Sequence, residues 1–246
     1  MPLKYAEHVP ELPKLCMEFI DIFGINYKDL KISNILQFDI DTRDAAPIYC
    51  KPHSLPYKHK QFVKDDFDAA VRAGTIEGPI KELYRWGFSV WVVEKPKTNE
   101  LRMVSDFRLL NKRTILNEVA ILDMKETIEQ LSSSQVYSLL DFLKAFNQIG
   151  NTPKAREKLV MATEHGKYRC LTRSFGPTGT SGTFAKAICI TFRELLDIVA
   201  SYFDDVTVHS KHSNLHLSHL RWTFEVVRKY NFTLRPDKCL FFSRRS

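Results

Sequence analysis

Two acidic residues, Asp204 and Asp205, follow one another between apolar residues that favour strands. Burying adjacent carboxylates is costly unless a cation or water compensates their charges. The pair therefore predicts either the solvated turn of a hairpin or one half of a site that binds a cation.

A third carboxylate, Asp141, closes the apolar run at residues 136–140. Carboxylate oxygens are the hard ligands that Mg²⁺ prefers. Two such ions a few ångströms apart can activate a hydroxyl group and stabilise a leaving phosphate. The spacing does not show that the strands are neighbours, and a helix N-cap is the alternative for Asp141.

Basic residues and histidines form two further candidate groups. Lys95 and Arg102 lie in a predicted hairpin with a basic tip, and such side chains suit phosphate oxygens. Ordinary solvated charges are the alternative. His216 and His219 stand three apart on a predicted helix, but no third ligand is evident. We interpret these histidines as part of a solvated helical face.

Helical and strand-like patterns are interleaved along the chain without strict alternation, which favours an α+β fold with antiparallel strands. A stop at Gly74 is expected for the second helix. The helical patterns cover residues 12–23, 58–73, 123–131, 181–199 and 215–230. The strand patterns cover residues 38–42, 88–94, 101–108, 137–141 and 201–210, with a further hairpin turning at residues 164–167.

The composition is that of a globular protein. The 246 residues are 44% hydrophobic and 26% charged, which excludes a mainly disordered chain, a collagen-like rod and a disulfide-dense miniprotein. The net charge of +7 favours polyanionic partners such as nucleic acid or an acidic membrane surface. Much of the excess lies in residues 206–246, which form either a solvated or a phosphate-facing basic surface.

The cysteine pattern and the apolar segments indicate the cellular compartment and whether the chain associates with a membrane. Five cysteines are scattered without a C-x-x-C pair, so we expect no zinc site and a reducing compartment. The N-terminal residues lack the apolar core of a signal peptide. No stretch approaches the roughly 20 apolar residues of a membrane span. We therefore expect no membrane partner.

A series of motifs in a fixed order extends over most of the chain. Residues 141–149 and 202–205 carry the three acids, and residues 101–111 read LRMVSDFRLLN. The remaining motifs lie at residues 39–42, 46–48, 175–176, 216–221 and 236–239. In these motifs the chain resembles the reverse transcriptase of gypsy-type LTR retrotransposons, which have a retrovirus-like Pol polyprotein.

The resemblance implies an α+β fold with the fingers and palm of a right-hand polymerase, in which an antiparallel palm sheet packs on helices. No thumb and no RNase H domain are expected within this sequence. The expected organisation is a lead-in at residues 1–33 and a reverse transcriptase domain at residues 34–246. The fingers would comprise about residues 34–115 and 150–178, and the palm about residues 116–149 and 179–246.

The resemblance also assigns catalytic residues. It implies that Asp141, Asp204 and Asp205 are catalytic carboxylates that bind two Mg²⁺ ions, with Mn²⁺ as a substitute. Lys238 matches a palm lysine that protonates the leaving pyrophosphate, and a surface lysine beside a turn is the alternative.

The substrate-binding residues implied by the resemblance fall into three groups. Contacts to the incoming triphosphate are assigned to Lys95 and Arg102. Phe146 would block the 2′-hydroxyl of a ribonucleotide. The pocket and the primer end would be lined by Phe175, Gly176, Tyr202 and Phe203. A core aromatic is the alternative for Phe146, and Tyr202 and Phe203 could equally be core residues of a hairpin.

The implied function is RNA-directed and DNA-directed DNA polymerisation from dNTPs on a primer–template. The alternative is a silent or host-adopted remnant that binds nucleic acid without polymerising, because residues 177–182 depart from the family pattern. Other Pol domains, namely a protease, RNase H and an integrase, are expected partners. The expected location is the cytoplasm, in virus-like particles, with the nucleus as the alternative.

Overall fold

The computed structural model describes residues 9–82, 84–94, 101–115, 129, 131–172, 176–202 and 204–244. The described helices are α1 (Leu12–Glu18), α2 (Tyr57–Arg72), α3 (Arg108–Asn111), α4 (Pro153–Lys158), α5 (Thr180–Thr191) and α6 (Ser213–Lys229). The described strands are β1 (Ser33–Phe38), β2 (Ile76–Ile80), β3 (Phe88–Glu94), β4 (Leu101–Ser105), β5 (Val136–Leu140), β6 (Ile149–Asn151), β7 (Val160–Thr163), β8 (Gly166–Cys170), β9 (Val199–Tyr202), β10 (Asp205–Ser210) and β11 (Leu240–Arg244).

The chain divides into two compact units, each made of separated segments. The first unit contains Met1–Leu36, Glu118–Gln148 and Ser181–Ser246. The second unit contains Gln37–Asn117 and Ile149–Thr180. Naming these units palm and fingers stays a prediction from the resemblance.

The first unit is built on a four-stranded antiparallel sheet in the order β11-β5-β10-β9. Alternate residues of β5 are buried, which is the period expected of a strand with one face against a core. Helix α6 covers this core with Leu220, Phe224 and Val227, which recur at helical spacing and are fully buried. The predicted helix at residues 215–230 is thereby confirmed.

The segment that precedes β1 belongs to the same unit. Phe19 is buried and meets the ring of Phe224 edge-on, with centroids 5.6 Å apart. Arg221 and Arg228 of α6 form ion pairs with Glu18 and Asp21. The described part of this segment therefore packs on the helix that covers the four-stranded sheet.

The second unit is built on a five-stranded sheet in the order β2-β8-β7-β3-β4. The pair β3 and β7 is parallel, and the other pairs are antiparallel. Helix α2 packs on the sheet through Phe67, whose ring lies 4.3 Å from that of Tyr168. Gly74 follows α2 with a φ of +68°, as expected of a glycine that ends a helix.

Four predicted elements are wrong in their extent, and the first is the strand at residues 38–42. The predicted strand at residues 38–42 is absent, because the side chains of Asp39 and Asp41 accept hydrogen bonds from Thr152 and from the Arg43 amide. The bond from the Arg43 amide to Asp41 is local, and such local side-chain bonds compete with a strand ladder. The strand in this region is β1, which ends at Phe38.

The predicted helix at residues 181–199 ends at Thr191. The amide of Leu195 bonds to the carbonyl of Phe192, only three residues earlier, and Val199 pairs with Val208 in the sheet. The prediction was too long because Leu195 and Val199 keep helical spacing beyond the last residue of the helix. The predicted helix at residues 123–131 lies mostly outside the described residues.

The strand predicted at residues 101–108 ends at Ser105, and the carboxylate of Asp106 then accepts the amide of Arg108 at the start of α3. The predicted strand at residues 201–210 is two strands joined by a turn. Among the described helices, none combines the length and apolar composition that crossing a bilayer requires.

Candidate active site

Two of the three predicted acids lie side by side across the centre of the first unit's sheet. Asp141 directly follows β5, and Asp205 is the first residue of β10. These strands are antiparallel, with Val206 opposite Leu140. The same register, continued by one residue, places Asp205 opposite Asp141.

The third acid lies in the turn next to this pair. Tyr202 of β9 pairs with Asp205 of β10, so Asp204 lies in the short connection between these two antiparallel strands. Asp204 and Asp205 are both exposed. The two alternatives for Asp204 and Asp205, a solvated hairpin turn and a cation site, are therefore compatible with each other.

Lys238 lies beside Asp141, just before strand β11, which pairs with β5 on the edge opposite β10. Strand β11 is antiparallel to β5, with Leu240 opposite Leu139. The Lys238 ammonium is 3.9 Å from Asp141 Oδ2, and the lysine side chain keeps 55% of its surface exposed. An exposed ammonium next to a reacting centre can deliver a proton to a leaving group.

The electrostatics of the acids favour a bound cation. Burial, the largest cause, raises the pKa of Asp141 above its ordinary value. The positive charges of Lys238 and Arg235 oppose this rise in the pKa of Asp141, and the charges of Asp205 and Asp204 add to it. Asp205 is exposed as a residue, but partial desolvation of its carboxylate and the charge of Asp204 also raise its pKa. A cation would relieve both effects.

The donor chemistry fits Mg²⁺, because every candidate ligand is a carboxylate oxygen. Within the part of the chain that the structure describes, no group of three or more His, Cys, Asp or Glu side chains is gathered as a metal site. The structure does bring Asp141 and Asp205 to the adjoining ends of β5 and β10, and Asp204 lies in the turn that precedes Asp205.

Two predicted aromatic contacts lie in the same unit. Phe146 belongs to the short 3-10 helix Ala145–Gln148, which begins four residues after Asp141. Its ring is half-buried and meets the buried ring of Phe184 edge-on, with centroids 5.7 Å apart. Tyr202 is 37% exposed at the end of β9. Phe146 is therefore anchored on one side and accessible on another.

Two other predicted contacts belong to the second unit. Arg102 is half-buried on β4, opposite Val93. Gly176 has a φ of +114°, and a Cβ there would lie 3.2 Å from the ring of Phe107 and from the carbonyl of Ser105. Position 176 therefore requires glycine.

Three predicted site residues, Lys95, Phe175 and Phe203, lie outside the described residues. Arg235 is a further residue at this site that the motifs did not predict, and its amide donates a hydrogen bond to the Asp141 carbonyl at 2.8 Å. Its guanidinium is held by Asp237, with Nε 2.9 Å from Oδ1. The available signal was a basic residue directly before the motif at residues 236–239.

The predicted solvated face for the two histidines is wrong. His216 is fully buried, with Nε2 2.7 Å from Ser138 Oγ and Nδ1 2.7 Å from Ser210 Oγ. His219 is half-buried, and its Nδ1 lies 2.7 Å from the same Ser210 hydroxyl. The reason is that α6 packs this face on β10, where strand serines serve as hydrogen-bond partners.

Comparison with known proteins identifies the family. The family described as Reverse transcriptase (RNA-dependent DNA polymerase) matches residues 93–246. A retrovirus-related Pol polyprotein from transposon opus of Drosophila melanogaster is 30% identical over 250 residues, covering 98% of this chain and 24% of the relative. The corresponding polyprotein from transposon 412 of the same fly is 24% identical, covering 94% of this chain and 19% of the relative.

Solved structures share the fold. The foamy viral protease-reverse transcriptase in complex with an RNA/DNA hybrid has a TM-score of 0.84 at 18% identity, covering 94% of this chain and 31% of that chain. The same protein in complex with dsDNA also has a TM-score of 0.84, covering 95% of this chain and 48% of that one. The predicted α+β polymerase fold is thereby confirmed.

The chain spans only about a fifth to a quarter of the length of these two Pol polyproteins. The family match nonetheless covers more than half of the chain, including all three acids. The chain belongs to the reverse transcriptase family.

Proposed function

We propose that this chain catalyses template-directed DNA synthesis, with RNA or DNA as the template. The primer 3′-hydroxyl attacks the α-phosphate of a dNTP, a new P–O bond forms, and pyrophosphate leaves. The observation that carries this proposal is the register that places Asp205 opposite Asp141, with Asp204 in the adjoining turn.

In this proposal Asp141, Asp204 and Asp205 hold two Mg²⁺ ions, for which Mn²⁺ can substitute. When bound, such ions supply charge stabilisation for the attacking and leaving oxygens. The raised pKa values of Asp141 and Asp205 support the assignment, because uncompensated neighbouring carboxylates favour a cation. The ammonium of Lys238, held beside Asp141, donates the proton that the leaving pyrophosphate takes up.

The sugar of the incoming nucleotide is selected by Phe146. Its ring rests on Phe184, so it cannot easily withdraw from a ligand that approaches its solvent-exposed part. A 2′-hydroxyl would clash with a ring held in this way, whereas a deoxyribose would pack on it. The expected consequence is a preference for deoxynucleotides.

The remaining contacts complete the proposal. Lys95 and Arg102 bind the triphosphate, because ammonium and guanidinium groups are strong donors to phosphate oxygens. Phe175 and Gly176 line the nucleotide pocket, and Tyr202 and Phe203 contact the primer end.

The partners of this activity are a primer–template and other domains of a Pol polyprotein, for which the family resemblance implies a protease, RNase H and an integrase. Solved relatives in complex with an RNA/DNA hybrid and with dsDNA support the first of these partners. The proposed location is the cytoplasm, within virus-like particles, and the nucleus is the alternative.

The test is single-nucleotide incorporation with the chain in excess over an annealed primer–template, in Mg²⁺ at low salt. Low salt is chosen because binding to phosphates weakens as ions compete. We expect extension by the parent, none by Asp204→Asn, and parental extension by Asp44→Asn, which alters an exposed aspartate of the second unit.

Equal extension by the parent and by Asp204→Asn would refute the proposed chemistry. Binding of primer–template without any incorporation would favour the alternative function, a remnant that binds nucleic acid without polymerising it.

A further inference from the structure

The backbone that carries Asp141 continues past β5 into a second, smaller pairing. The amide of Arg235 donates to the carbonyl of Asp141 at 2.8 Å, and the amide of Leu143 donates to the carbonyl of Thr233 at 3.0 Å. Between these bonds, Phe142 and Leu234 face one another in antiparallel register. Residues 141–143 are thereby tied to residues 233–235.

A third segment lies along the other edge of residues 233–235. The amide of Leu234 donates to the carbonyl of Ile22 at 2.7 Å, and the amide of Gly24 donates to the carbonyl of Leu234 at 2.9 Å. We call the three segments, residues 22–24, 141–143 and 233–235, the Asp141 ladder. All three belong to the first unit.

Gln148 joins two of these segments through its side chain. Its Nε2 donates to the carbonyls of Leu143 and Thr233, each at 2.8 Å, and its Oε1 accepts from the amide of Thr233 at 2.7 Å. The residue is fully buried. The amide thus makes three hydrogen bonds away from water, where leaving such groups unpaired costs most.

The turn between Asp141 and Gln148 needs this support. Lys144 adopts a φ of +45°, a region that side chains other than glycine rarely occupy. Such a conformation persists only when the surrounding structure holds it. The same turn carries Phe146, so a shift in it would move a proposed metal ligand and the proposed sugar-selecting ring together.

We propose that Gln148 is a positioning residue, which holds Asp141 opposite Asp205 and Phe146 in place through the Asp141 ladder. This inference rests on the proposed function for its catalytic consequence. Gln148 itself touches neither the acids' carboxylates nor, in this proposal, the substrate. It acts on the backbone between them.

The test compares Gln148→Met, which keeps the length and removes the polar groups, with Gln148→Glu, which keeps the shape and loses both donors. The matched control is Asn151→Leu. Asn151 is a fully buried amide of the second unit, whose Nδ2 donates to the carbonyls of Cys170 and Thr172. The control therefore removes a comparable buried amide that does not belong to the Asp141 ladder.

Each protein is measured for thermal unfolding, for primer–template binding in EDTA, and for single-nucleotide incorporation across a range of Mg²⁺ concentrations. A catalytic group displaced by about 1 Å can lose about 100-fold in rate. We expect the Gln148 variants to lose about this much and to need more Mg²⁺, with binding of primer–template unchanged. Their discrimination against ribonucleotides is expected to fall as well.

The control Asn151→Leu is expected to lose thermal stability with an unchanged Mg²⁺ requirement. Gln148 variants that lose only stability, at the parental rate and Mg²⁺ requirement, would overturn the inference and leave the proposed function standing. If Gln148→Met does not fold, Gln148→Glu carries the comparison.

A readout without turnover separates the two proposals. Binding of Mn²⁺ alone, followed by electron paramagnetic resonance, is expected to weaken in Gln148→Met and to match the parent in Asn151→Leu. A parent that binds Mn²⁺ in this Gln148-dependent way but incorporates nothing would refute the proposed function and support the inference. Equal Mn²⁺ affinity in parent and Gln148→Met, or no Mn²⁺ binding by the parent, would overturn the inference.

Discussion

The burial of His216 predicts that mild acid destabilises the first unit. The pKa of His216 is lowered from 6.5 to about 4, mainly by burial and to a smaller extent by the neighbouring His219 and His209. The pKa of His209 is itself lowered by burial and by His219, although Asp197 opposes that change. The hydroxyls of Ser138 and Ser210 face His216 from β5 and β10.

The direction of the effect follows from proton binding. The folded chain holds His216 with a pKa below its unfolded value, so the unfolded chain binds the proton more readily. This contribution to stability is full above pH 6.5 and is lost as the pH falls towards about 4. One pKa unit corresponds to about 1.4 kcal/mol, so the loss amounts to about 3 kcal/mol. The free energy of unfolding of a small domain is only about 5–15 kcal/mol, so this loss is a large part of it.

The assay is urea unfolding followed by tryptophan fluorescence, at pH values from 7.5 to 4.5. His216→Gln keeps a donor and an acceptor but does not titrate, so its stability should fall about 2–3 kcal/mol less than the parent's over this range. His165→Gln changes an exposed histidine in the turn between β7 and β8 and should follow the parent. Parallel curves for the parent and His216→Gln would refute the reasoning, because His216 would then titrate like a solvated side chain.

Three further predictions test other parts of the structure. Asp205→Asn should raise the thermal unfolding midpoint in EDTA, since the pKa of Asp205 is raised and its charge is therefore unfavourable in the fold; an unchanged or lower midpoint would contradict this. Phe146→Ala should reduce the preference for dNTPs over ribonucleotides in single incorporation by about 5- to 30-fold, which corresponds to a ring that contributes about 1–2 kcal/mol of selectivity. Unchanged discrimination would contradict the role of Phe146. Gly176→Ala should lower the free energy of unfolding by about 1–3 kcal/mol, because of its φ of +114°; urea midpoints equal to the parent's would contradict the strain.

Local pattern predicted most elements because periodicity reports which residues face a core. The helix at residues 215–230 and the hairpin at residues 164–167 are confirmed in this way. The helix predicted at residues 181–199 is too long, since Leu195 and Val199 keep helical spacing while belonging to a turn and to β9. Spacing alone does not distinguish a helix from an apolar turn that leads into a strand.

The two histidines of α6 show that local pattern also fails to predict whether a polar side chain is buried. Two polar residues three positions apart on a helix predict a solvated face, yet His216 is fully buried. Its burial depends on the serines of β5 and β10 and on the packing of α6 against β10. These partners lie up to 78 residues away in the sequence, where local pattern carries no information.

The sequence by itself determined the family and the α+β class and predicted the three acids as site residues, because these depend on residue types in a fixed order. Only the tertiary structure decided that Asp205 lies opposite Asp141, that Lys238 approaches the same carboxylate, and that Gln148 holds the backbone between Asp141 and Phe146. The physical reason is that strand register and buried hydrogen bonds join residues far apart in the chain. Such pairings are determined by the packing of the whole unit, and the local sequence periodicity does not predict them.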